Sequence, residues 1–232
     1  MTSPHVPTPS LSAVFGTSLK QLTGNLGATV GATFVWGVVS MIVGFVIGGV
    51  TNGSGSWRDD PSPTGAAISA ILDGLFLALV LSCVLTGFFR IARTGHAEFA
   101  DFFRPTALVP VLIANLVISL VTAVVTLLIG TGSFVQWVLS LVVSLLLSLM
   151  FVWTQVFAVG GGRGPLDAIG DSVRLTLARP GTTIMVVVLM LILMILGLIA
   201  FLIGLIFTLP LAALILVNYY RGFTGEMDLS LT

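Results

Sequence analysis

Charge is the first thing this chain lacks. Only 8% of its 232 residues are Asp, Glu, Lys or Arg, against about a quarter in a soluble domain. Basic and acidic residues balance at nine each, so no cationic excess points to a nucleic-acid partner. The single cysteine, Cys83, lies inside an apolar run, which excludes an internal disulfide and is no argument for a nucleophile. The two histidines, His5 and His96, fall in different loops without acidic or thiol partners at ligand spacing, so no metal is expected. No Ser, His and Asp constellation falls in a plausible pocket, and neither catalysis nor a cofactor is expected. GGGRGP is rich in glycine but lacks the lysine and the preceding strand of a phosphate cradle, so it reads as a linker. The opening MTSPHVPTPS lacks the basic start of a cleavable signal, and the first apolar segment is expected to be retained.

What the chain has instead is apolar length. Its residues are 56% hydrophobic and its mean hydropathy is +1.15. A helix crossing a bilayer needs about 20 mostly apolar residues. Four runs meet that length: Val30 to Val50, Ala67 to Phe89, Ala107 to Ile129, and Phe134 to Val159. A fifth, Thr183 to Val217, is too long for one span and reads as two helices with a tight turn near Gly204. The expectation is an all-α polytopic protein of six spans.

Cations fix the expected orientation. Lys20, Arg90, Arg93, Arg104, Arg163, Arg174, Arg179 and Arg221 fall on one side, whereas the other holds Arg58, offset by Asp59 and Asp60. The positive-inside rule then places both termini in the cytoplasm of a bacterial inner membrane protein. Trp57 and Trp137 fall near the outer boundary, and Trp153, Tyr219 and Tyr220 near the inner one, where amphipathic rings settle.

Between the spans lie short amphipathic segments. In PLDAIGDSVRLTLARPG, Pro165 and Asp167 suit a helix start. Leu166, Ile169, Val173 and Leu177 form one face, with Asp167, Asp171 and Arg174 on another, as in a helix lying in the interface. LSAVFGTSLKQLTGNLG repeats the design, with Ser18, Leu19, Lys20 and Gly27 matching Ser172, Val173, Arg174 and Gly181 at a constant offset. TGHAEFADFFRP places Phe99, Phe102 and Phe103 opposite Glu98 and Asp101. The chain therefore reads as one membrane domain, 11–222, of three hairpin units at about 11–89, 95–159 and 165–222, each preceded by a short cytoplasmic interfacial helix. Tails of 1–10 and 223–232 flank it. Generic amphipathic connectors are the plainer alternative to a true repeat.

The last unit, with AIGDSVRLTLARPG, a long apolar span, a Gly turn and TLPLAALILVNYYRGF, resembles uncharacterised six-span bacterial membrane proteins. They are similar to the membrane domain attached to some glycerophosphoryl diester phosphodiesterases. The resemblance covers mainly Pro165 to Gly222 and implies the fold and a bacterial inner membrane; the soluble catalytic barrel of those enzymes has no counterpart in this sequence.

Three groups of residues are candidates for function. Asp73 is the one ionisable residue within an expected span, read either as a functional carboxylate or as one lying close to the outer interface. Asn115, Ser119, Thr122 and Thr126 form one helical stripe, and Gln136, Ser140, Ser144 and Ser148 another. Joined by the turn Gly130 to Ser133, the stripes make a seam for close packing or a polar lining. Gly27, Gly31, Gly44 and Gly48 read as further close-packing positions. Met185, Met190 and Met194 in the charge-free fifth span suit an irregular partner surface, or simply face lipid. The expected function is a non-catalytic accessory or scaffold subunit of an envelope or membrane complex, with lipid and other membrane proteins, or a second copy, as partners. The alternative is a small transporter or lipid-handling protein using the seam.

Overall fold

The computed structural model describes residues 9–51, 63–129, 133–200 and 204–226, without the side chains of residues 51, 63–67, 70, 123, 126 and 127. Trp57, Arg58, Asp59, Asp60, the turn residues 130–132 and most of both tails lie outside the described residues, as does the side chain of Thr126. Every regular element among the described residues is helical. In chain order they are α1 (Leu11–Gly24), α2 (Leu26–Thr51), α3 (Pro63–Thr94), a 3₁₀ helix (Phe99–Phe103), α4 (Leu108–Ile129), α5 (Phe134–Phe151), α6 (Thr154–Gly160), α7 (Pro165–Ala178), α8 (Pro180–Ile199) and α9 (Leu205–Thr224).

Five stretches are long and apolar enough to cross a membrane, as in a multi-pass membrane protein: Leu26–Val50, Ile71–Thr94, Phe134–Gly160, Pro180–Ile199 and Leu205–Thr224. In α4 the apolar stretch that qualifies among the described residues is shorter, Leu108–Thr122. The long apolar run after Thr183 is two helices, α8 and α9, with Gly204 opening α9. A Cβ on Gly204 would crowd Ala200 and the backbone of Gly197, so the two helices meet there at backbone distance.

The elements pack in cyclic order. Taken as three groups (α1 to α3; the 3₁₀ helix to α6; α7 to α9), each surface segment packs on the last helix of the group before it. Thus α1 lies on α9, the 3₁₀ helix on α3, and α7 on α5 and α6. The next helix follows the same rule in two groups, α2 packing on α9 and α4 on α3, whereas α8 packs on α5 rather than on α6. The inner helices α3, α6 and α9 meet one another at the centre. One aromatic ring from each joins there, with Tyr220 edge-on to Phe89 at 5.6 Å and to Phe157 at 5.1 Å. Each inner helix is followed by a glycine with positive φ, Gly95, Gly162 and Gly225, which lets the chain turn sharply away.

Burial repeats in the first and last groups. Val14, Ser18, Leu22, Thr29 and Ala32 are buried, and so are Ala168, Ser172, Thr176, Thr183 and Val186 at the same constant offset. The starts of α1 and α2 correspond to those of α7 and α8 at that offset. The face that α7 turns to the bundle is therefore Ala168, Ser172 and Thr176, not the one carrying Leu166 and Leu177, which are 68% and 65% exposed. The helix has three sides: small residues against protein, large aliphatics outward and charges on the remaining arc.

Three sequence expectations need correction. The middle amphipathic segment is a five-residue 3₁₀ helix, and Asp101 is buried in it rather than exposed opposite the phenylalanines. Trp153, Tyr219 and Tyr220 fill the core instead of settling at a lipid boundary, because the inner helices converge at their level. Gly27 and Gly44 have no neighbour where a Cβ would stand; close approach falls instead at other glycines, among them Gly87 against Phe102, Gly160 against Phe89, Gly197 against Thr208 and Gly222 against Pro9.

Candidate functional site

Two polar arrangements stand out, one where the helix ends converge and one within the apolar helices. At the convergent end, Asn25, just past α1, accepts from the N–H of Ala97 at 3.1 Å and donates to the carbonyl of Gly95 at 3.0 Å. Trp36 of α2 donates its indole N–H to the carbonyl of Phe102 at 2.9 Å and stacks on Phe103. Arg90 of α3 pairs with Asp101 at 2.6 Å, and the other carboxylate oxygen of Asp101 caps the 3₁₀ helix through the N–H of Glu98 at 2.8 Å. The loop 95–103 is thus clamped from three helices.

Arginines tie the inner helices to one another. Arg93 donates to the carbonyl of Gly160 at 2.8 Å and pairs with Glu226 at 3.2 Å, while Arg221 donates to the carbonyl of Ala92. Cations there offset the negative ends of three helix dipoles and satisfy carbonyls that the helices leave open. Arg163 and Arg174 both flank Asp171 on α7, at 3.5 and 3.8 Å.

Within the apolar helices, Asn115 is joined by a residue outside the expected stripes. Gln155 of α6 donates to the Asn115 carbonyl oxygen at 2.6 Å, leaving the Asn115 amide nitrogen and the Gln155 oxygen buried without partners. Asn115 and Ser119 line a groove of about 280 Å³ between α3 and α4, otherwise walled by aliphatic side chains and Gly74. Thr122 is half-buried and donates to the carbonyl of Ile118. On α5, Gln136 is half-buried, Ser140 has a buried hydroxyl without a partner, and Ser144 and Ser148 are exposed. Asn115 is thus brought to α6 rather than to the serines of α5. Asp73 is exposed, about 25 Å along α3 from Arg90. Of the methionines, Met185 and Met190 pack on the bundle's own core, and Met194 is 43% exposed.

The fourth apolar run is not one helix. Its ladder is interrupted between Phe151 and Thr154, where Ser172 of α7 accepts from the N–H of Trp153 at 3.2 Å and donates to the carbonyl of Met150 at 2.7 Å. Thr176, one turn on, donates to the carbonyl of Leu149 at 3.1 Å. A side chain inserted into a helix ladder is a recognised cause of a kink. Trp153 is anchored by its own indole N–H, which donates to Thr183 at 3.1 Å.

Among the described residues, no three His, Cys, Asp or Glu side chains gather as a metal site would require. The polar arrangements bind helix to helix and leave spare groups at Asn115, Ser140 and Gln155. Neither a family model, nor a curated protein, nor a solved structure matches this chain.

Proposed function

We propose that the chain is a six-span integral protein of a bacterial inner membrane and a non-catalytic accessory or scaffold subunit of an envelope or membrane complex. In this reading α4, whose 22 residues extend about 33 Å, supplies the sixth span. The arginine-bearing end and both termini face the cytoplasm. The resemblance of Pro165 to Gly222 to the membrane domains attached to glycerophosphoryl diester phosphodiesterases belongs to the same proposal.

The observation that carries it is α5. No residue of this apolar helix is buried, and it presents Phe134, Val135, Trp137, Leu141 and Leu145 together with the exposed hydroxyls of Ser144 and Ser148. Neither serine makes a side-chain hydrogen bond among the described residues. Small hydroxylic residues four apart allow a neighbouring helix to approach closely and bond across the contact. The occupant proposed is a transmembrane helix of another subunit. After extraction in mild detergent the protein should migrate with a larger complex, and Leu145→Gln should release it. Met194→Gln tests the methionine face of α8 in the same assay. A monodisperse monomer with no co-purifying protein would overturn the reading.

A second reading is favoured by the groove at Asn115 and Ser119: a small transporter or lipid-handling protein. Substrate flux in vesicles of the purified protein, abolished by Asn115→Leu, would establish it in place of the first.

A further inference from the structure

The cyclic packing has one irregular member. At the centre, α3 and α9 are continuous helices, whereas the third inner position is filled by the seven-residue α6. α5 and α6 both pack on α4 and α7, but α6 packs on α3 and α9 as well, whereas α5, which precedes it, packs on α8 in place of those two inner helices. Thr154, Val156 and Ala158 of α6 are buried, and no residue of α5 is. The boundary between the fixed part and the uncovered part is the ladder interruption at Val152 and Trp153.

We propose that α5 is a hinged arm that pivots at Val152–Trp153 against the fixed assembly of α3, α6 and α9, with Ser172 and Thr176 of α7 as the seat of the pivot. A continuous helix resists bending because its carbonyls and N–H groups would lose their partners in a medium without water. At this junction the carbonyls of Leu149 and Met150 and the N–H of Trp153 are bonded to hydroxyls of α7. Hydroxyls rotate, so these bonds persist over a range of angles that a helix ladder does not allow. The fixed side is held by Trp153, wholly buried and bonded to Thr183, and by the Phe157 ring against Tyr220. On the arm, the Ser140 hydroxyl is buried without a partner in the present position, a group that a second position can satisfy. The pivot does not depend on any partner subunit binding α5.

The test uses the full chain with Cys83→Ser in lipid nanodiscs and measures distances between paired spin labels. Val135→Cys lies about 25 Å from the pivot along α5, so a swing of roughly 15° moves its label by about 7 Å. Paired with Phe207→Cys on α9 it reports the arm; Leu166→Cys on α7, the seat, paired with Thr224→Cys on α9 reports the fixed pair. The arm pair is expected to give a broad or two-peaked distribution, and the fixed pair a narrow one. Ser172→Ala or Thr176→Val should redistribute the arm pair alone. An arm pair as narrow as the fixed pair, or one that neither substitution alters while the fixed pair stays narrow, would overturn the proposal. Because no partner is present, this result is separate from whether α5 docks another subunit.

Discussion

α1 and α7 are the same device put to two uses. Each has 14 residues, buries a stripe at the same three relative positions, and carries a fully buried serine at the centre of that stripe. Ser18 of α1 meets a side chain: the Asn218 amide of α9 donates to it at 2.9 Å and to Gln21 at 2.8 Å. Ser172 of α7 meets backbone, inside the interrupted ladder between α5 and α6. Where a long polar side chain reaches out to the surface helix, the receiving helix stays continuous. Where the hydroxyl must reach in, the receiving helix yields. A buried serine thus has one bonding need and two structural outcomes, decided by what the opposite helix offers.

Both surface helices hang from inner helices that meet at the centre, so both lose their seats if that meeting point opens. A side chain on Gly160 would overlap the Phe89 ring, which is itself buried against Tyr220. Gly160→Val should cost about 3 kcal/mol or prevent folding, in the upper range for overfilling a packed contact. Thermal unfolding in detergent checks this; a melting temperature within error of the parent protein would mean the convergent end is loosely packed.

Next in size is the contrast between the serines. Ser172→Ala leaves the N–H of Trp153 and the carbonyl of Met150 without the partner they share, and should cost about 2 kcal/mol. Ser18→Ala leaves Asn218 its bond to Gln21 and should cost about 1 kcal/mol or less. The order is the sharp expectation. If Ser18→Ala proves the more damaging in the same unfolding assay, the two helices do not differ as described.

Much of this architecture is legible in the sequence because length and composition alone specify it. Apolar runs mark the candidate spans, and the offset linking Ser18 to Ser172 is visible in the letters. The interruption at Trp153 is not legible, since its cause is a hydroxyl 19 residues away and no proline or glycine stands at the break. Asp101 reads as solvated because helical periodicity says nothing of a 3₁₀ turn that aims its carboxylate at Arg90. The stripes at Asn115 and on α5 follow from helical spacing, but spacing does not say which neighbour each faces: Asn115 finds Gln155, which lies beyond the break. Composition likewise ranks the α8 methionines as a partner surface, whereas packing makes α5 the least covered helix.

The smallest expected effect concerns Ser144, where the contrast between covered and uncovered serines is carried to its limit. If Ser144 stood in a tight contact within the chain, Ser144→Leu would overfill that contact and lower stability as strongly as other insertions into packed sites. Its side chain is instead exposed, on a helix with no buried residue. A leucine there adds apolar surface facing outward and displaces no neighbour. Stability of the isolated protein should therefore stay within about 0.5 kcal/mol of the parent, as for surface positions generally. Ser144→Ala should be equally silent. In the complex proposed above the two substitutions part company, because leucine blocks close approach of a partner helix and alanine permits it. Unfolding of the purified protein and co-migration in mild detergent then read two different things from one pair of variants. A large loss of stability for Ser144→Leu in the isolated protein would place Ser144 in a contact internal to the chain. An intact complex with that variant would move the partner's contact off this stripe.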